Sequence, residues 1–171
     1  MNIYSSKILL ILFLLILSQI QLKAEDSIAF INIEKVLNNS KKGSEIIKKL
    51  EVLKNKNSNI FEKKRDTIKK KEDNILQQKN ILSENEFEKK IISLKKEVDE
   101  FNKERNSLIL EFEKTKKKEI DEFLKLITPL IQKYVSENSV SIVLNQKNIF
   151  IGNKKYDITE NIIEIVDKNL K

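Results

Sequence analysis

Two basic triplets, Lys63-Lys64-Arg65 and Lys69-Lys70-Lys71, are the densest charge clusters in the Lys41–Ser83 stretch of this 171-residue chain. On a helix they stand one to two turns apart, a spacing that can attract an anionic partner over a screening length of ~10 Å at 0.1 M salt. Covalent chemistry has little to work with. There is no Cys and no His, which removes disulfides, Cys or His zinc sites, thiol nucleophiles and imidazole acid–base catalysis. Gly43 and Gly152 are the only glycines, so no Gly-rich loop exists to cradle a phosphate. An enzyme would have to run on Ser, Thr, Lys and carboxylates, and no nucleophile–base pairing is visible. The chain reads as a non-enzyme with no cofactor and no metal. Glu97, Asp99, Glu100 and Glu104 have the donor type for a hard cation, but lysines at helical spacing make exposed ion pairs the better reading. The basic runs lack interleaved aromatics, which disfavours a nucleic-acid partner. Charge runs are usually solvated helix face, and that reading stands beside an electrostatic role for the triplets.

Those triplets need a long helix to hold them. Charged residues make up 35% of the chain, aromatics 6%, and there is one proline; compact domains use more turn residues than this. From Ser44 to Leu82 nothing breaks a helix. Phe61, Ile68, Ile75 and Leu82 recur every seventh residue, as do Ile46, Leu53 and Ile60, with a one-residue slip between the two sets. A sustained seven-residue repeat marks a coiled-coil seam. Ser83-Glu84-Asn85-Glu86 then has the form of a capping box, a helix start inside a helical pattern. The chain is expected to turn there. The returning stripe is Phe87, Ile91, Leu94, Val98 and Phe101, spaced 4, 3, 4 and 3, and it faces the outgoing one in an antiparallel hairpin. Arg105 interrupts it, either as a register device or with its head snorkelling outward. The stripe resumes with Ile120, Phe123, Leu124, Ile127, Ile131 and Tyr134, with Pro129 expected to kink or stop the helix. The outgoing segment Lys41–Ser83 holds 13 bases and 6 acids; the return, Glu84–Thr128, holds 11 and 12. The outgoing helix is therefore the basic one.

Both ends of the chain are different in kind. Ser27–Ile33 (SIAFINI) reads as a buried strand, with Asn32 capping a short helix that stops near Gly43. Ser139–Asn145 and Asn148–Gly152 read as a β-hairpin. Asp157 and Glu160 read as N-cap and N3 of a last helix. The expected body core is Ile28, Phe30, Ile142, Leu144, Ile149, Ile158 and Ile162. So small a body commonly needs oligomerisation, and its sheet is expected to continue across subunits.

The first residues have the three-part layout of an export signal: Lys7, the apolar run Ile8–Leu17, and Ala24 at a cleavage position. The run is short of the ~20 residues that span a bilayer. Loss of residues 1–24 would remove Lys7 and Lys23 from the 33 bases, leaving 31 against 26 acids, net +5. An exported chain without cysteine suits a periplasm. The organisation is then a signal over 1–24, a body over 25–43 and 129–171, and an arm over 44–128 with its tip near 82–86.

This layout resembles the Skp (OmpH) family of periplasmic chaperones over essentially the whole mature chain. The resemblance is carried by the signal segment, the opening SIAFINIEKVLNNS, the helical hairpin, SVSIVLNQKNIFIG and the ending YDITENIIEIVDKNLK. It implies an α+β, mostly α, fold in which a long coiled-coil hairpin is rooted in a small β-sheet body. It also implies a homotrimer with a shared β-barrel-like core and a cavity between three arms. Members hold unfolded outer-membrane β-barrel proteins without ATP. A lipopolysaccharide-binding patch is proposed for some of them; no residue pattern here transfers it, although basic runs suit lipopolysaccharide or an anionic membrane surface as a second partner. The alternative is a coiled-coil spacer of the envelope that keeps its N-terminal apolar segment as an anchor.

Overall fold

A computed structural model describes residues 27–170; the export signal read at 1–24 lies outside them. The elements are β1 (Ser27–Ile31), α1 (Ile33–Asn39), α2 (Lys41–Gln77), α3 (Glu84–Glu137), β2 (Val140–Asn145) and α4 (Thr159–Asn169). Short 3₁₀ turns occupy Gln146–Asn148 and Lys154–Tyr156. Helices dominate, and the sheet has two strands, β1 beside β2.

The strands run parallel, with Ile28 opposite Ile142, Ala29 opposite Val143 and Phe30 opposite Leu144. Parallel neighbours require a long crossover, usually helical. Here the crossover is α1 followed by the whole arm, α2 and α3. The expected β-hairpin does not form within the chain. After Asn145 the Asn145 side chain accepts from the Lys147 N–H at 3.1 Å, which curls the backbone into a 3₁₀ turn. Gln146 is held there by the Asn32 amide, Nδ2 to Oε1 at 2.6 Å. The run after it leaves the sheet, with Phe150 98% and Ile151 83% exposed.

Caps explain most element boundaries. Asn32 accepts from the Lys35 N–H at 2.8 Å and opens α1. The short helix ends at Asn39, four residues before Gly43, because buried Ser40 caps α2 by accepting from the Gly43 N–H at 3.2 Å. Gly43 is thus inside the first turn of α2 and stops nothing. Its role is close approach: a Cβ there would sit 1.9 Å from the Leu37 carbonyl oxygen. At the other end the N-cap of α4 is Ile158, which caps with no side chain, and not Asp157; Asp157 stands one residue earlier and accepts from the Thr159 N–H at 3.0 Å. Glu160 does not close the expected box; it pairs with Lys35 of α1. The hydrogen bond that Lys35 donates to that carboxylate, then the carboxylate's charge, raises the Lys35 pKa above the ordinary lysine value.

Pro129 neither ends nor interrupts α3, which runs on to Glu137. Lys125, whose carbonyl loses its donor, and Pro129 are both on the exposed side, where the carbonyl is open to solvent. Their neighbour Ile127 is fully buried, and packing there outweighs the propensity cost of ~3 kcal/mol. The core joins Ala29, Ile31, Val36 and Leu37 to Ile46 and Leu50 of α2, Phe123 and Ile127 of α3, and Ile158, Ile162 and Val166. Body and arm root therefore share one core.

Candidate functional site

The arm is held by cross-helix ion pairs that the sequence does not announce. Lys49 pairs with Glu119, Lys64 with Glu104, and Lys71 with Glu97, the last at 2.6 Å. From Lys49 to Lys64 is fifteen residues, and from Glu119 back to Glu104 is also fifteen; the next rung is seven on and seven back. The helices thus keep one antiparallel register along the arm. The interval of fifteen rather than fourteen absorbs the slip at Ile60 and Phe61. Near the tip, Lys90 Nζ donates to Gln78 Oε1 at 2.6 Å.

The turn itself comes slightly early. α2 ends at Gln77, so Leu82 lies in the connection and not on the helix. The capping box at Ser83 is complete: Ser83 Oγ accepts from the Glu86 N–H at 3.4 Å, and the Glu86 carboxylate accepts from the Ser83 N–H at 3.1 Å. The Ser83 hydroxyl, then its backbone N–H, holds the Glu86 carboxyl below the ordinary glutamate pKa.

These pairings divide the basic patch. Lys64 and Lys71 are engaged with the return helix. Arg65 approaches Asp66 at 3.5 Å and Glu62 at 3.9 Å, both exposed. Lys63, Lys69 and Lys70 make no ion pair among the described residues and remain the free cations of the patch. The carboxylates Glu97 and Glu104 find lysines across the hairpin, not along their own helix.

The candidate seam residues are lightly covered. Phe61, Ile68, Phe87, Ile91, Leu94, Val98 and Phe101 are only half-buried, and Ile75 alone of the set is buried. A buried Asn57 sits between Leu53 and Ile60 in the 4-and-3 pattern. Nothing in the sequence signals it, since a seam is marked by apolar residues and Asn57 is polar.

At the body, Phe30, Ile158 and Ile162 are core and Ile149 is half-buried. Ile28, Ile142 and Leu144 are not: they are 48%, 51% and 42% exposed. Strand alternation puts Ala29, Ile31 and Val143 against the helices, so their neighbours must face outward. Only the Phe30 end of that face is covered, by Gly152, where a Cβ would meet the Phe30 ring at 2.9 Å. A signal for this face was present in the unbroken Ile142-Val143-Leu144, since a strand apolar on both sides is one covered on both sides.

A half-packed arm and an outward apolar sheet define a class: a long helical hairpin on a small α/β root with an unsatisfied face. The comparisons place the chain within that class. Residues 27–166 match the family model described as "Outer membrane protein (OmpH-like)", and the chain belongs to that family. Its fold is similar to the crystal structure of an OmpH-like protein from Caulobacter crescentus CB15, described there as an outer membrane chaperone. The TM-score is 0.71 at 14% identity, covering 85% of this chain and 86% of that one. No curated protein matches the sequence significantly.

Proposed function

We propose that this protein is a periplasmic, ATP-independent holdase that keeps unfolded outer-membrane β-barrel proteins from aggregating in a cavity between its arms. Family membership supports a chaperone role. The observation that carries the reading is the incompleteness of the single chain. One face of its sheet offers Ile28, Ile142 and Leu144 to solvent beside the exposed Phe150 and Ile151, and β2 is a sheet edge. A contiguous apolar patch on a charged chain marks an interaction surface. Three copies that close this face and edge into a shared barrel-like core would hold three arms around one space.

The arms suit a non-specific holder. Their half-buried seam leaves them adaptable, and Lys63, Lys69 and Lys70 supply charge for acidic clients. Outer-membrane protein diluted from urea should stay clear in light scattering when the mature protein is present without nucleotide, and the protein's own solution mass should be close to three chains. Turbidity unchanged at several-fold molar excess would exclude the holdase; a monomeric mass would exclude the shared core. Client binding should weaken between 0.1 and 1 M salt, where the screening length falls from ~10 to ~3 Å.

A further inference from the structure

We propose that a cleft on one flank of the arm, walled by Phe61, Arg65, Phe101 and Arg105, receives a client's Asp or Glu carboxylate flanked by apolar or aromatic side chains. This deepens the client-holding reading and rests on it. The chain uses 31 lysines and two arginines. Both arginines line this cleft of about 490 Å³, as do Ser58 and Glu62. A guanidinium differs from an ammonium in offering a planar fork of donors that grips a carboxylate at two points and stacks on aromatic faces.

The two flanks of the seam are built differently. Phe101 is shared between a cleft lined by Lys64 and Glu104 and the cleft lined by Arg65 and Arg105. Adjacent helical residues point ~100° apart, so neighbours in sequence serve opposite flanks. One flank is closed by the Lys64–Glu104 ion pair. On the other, Arg105 has no ion pair among the described residues, and Arg65 has only exposed contacts within its own helix. Two positive charges and one negative, Glu62 at 3.9 Å from Arg65, therefore line one cleft, and it keeps a net positive charge. An arriving carboxylate neutralises that charge, and its apolar neighbours cover the half-buried Phe61 and Phe101 rings. This also resolves Arg105: it is exposed and directed to the flank that an incoming anion reaches.

The test uses the full mature protein and two fluorescent peptides, one alternating Phe with Asp and a twin carrying Asn for Asp, read by anisotropy. The wild type should prefer the Asp peptide by about tenfold, the weight of one charge-assisted hydrogen bond. R65K/R105K keeps the charge and should lose most of that preference, with thermal melting unchanged; Phe61→Leu should weaken both peptides. Equal binding of the two peptides, or an unaltered preference in R65K/R105K, overturns the proposal. Arginine-dependent sedimentation with phosphatidylglycerol vesicles, without arginine-dependent peptide binding, also overturns it in favour of a lipid phosphate. The two readings separate cleanly. Aggregation suppression with no arginine-dependent peptide preference leaves the holdase and removes the cleft. An arginine-dependent preference without suppression does the reverse.

Discussion

Root and tip of the same hairpin are built to different standards. At the root, Phe123, Ile127, Ile162, Val36 and Val166 are all fully buried. Beyond Leu50 the only buried seam residues on the outgoing helix are Asn57 and Ile75, and the return helix from Phe87 to Leu108 has none. A two-helix arm has only one face per helix to bury, whereas the root packs two helices of the hairpin against a sheet and two further helices. Stability is therefore concentrated where the arm leaves the body, and the arm itself is left soft enough to adapt.

The contrast is most open to attack at its strong end. Phe123→Ala should cost about 3–5 kcal/mol in chemical denaturation, a large share of the ~5–15 kcal/mol of a whole domain. Phe101→Ala, half-buried in the arm, should cost less than half as much; equal costs would break the comparison. Gly43→Ala comes next, because its Cβ would collide with the Leu37 carbonyl and α1 would have to move off α2. A loss of about 1–3 kcal/mol is expected for such overpacking, read as a lower melting temperature.

At the tip, Ser83→Ala should cost about 1 kcal/mol and speed hydrogen exchange around Glu84–Phe87 without touching the root. The same change should return the Glu86 titration, followed by NMR, toward the ordinary glutamate value of 4.5. The sign follows from the depressed folded-state pKa: the cap contributes above the ordinary value and is lost as pH falls through the folded one. The smallest effect belongs to the ladder. Lys64→Glu should cost below ~1 kcal/mol, as exposed pairs do, and adding Glu104→Lys should restore it. A double variant no better than the single would mean that the rung does not help set the register.

Much of this was legible along the chain. The seam from Phe61 to Phe101, the turn at Ser83 and the cap at Asn32 are local patterns, and local patterns survive because their cause lies within a few residues. The readings that failed depended on distant partners. Asn148–Gly152 has strand composition but is drawn out of the sheet after Gln146 is held by Asn32, 114 residues away. Pro129 should break a helix in isolation, yet it sits beside Ile127, which the body buries. Ile28, Ile142 and Leu144 have the composition of core, and in the single chain they point outward because a two-stranded sheet has one free face; in the proposed assembly a further copy buries them.

Sequence periodicity alone determined that there is an arm, where it folds back and which of its helices is basic, since these follow from side-chain spacing on a helix. Tertiary structure alone decided which of the lysines are consumed by the facing helix, that the two strands lie parallel, and that both arginines share one flank. Those outcomes depend on the register between elements far apart in the chain, and no short stretch of residues encodes a register.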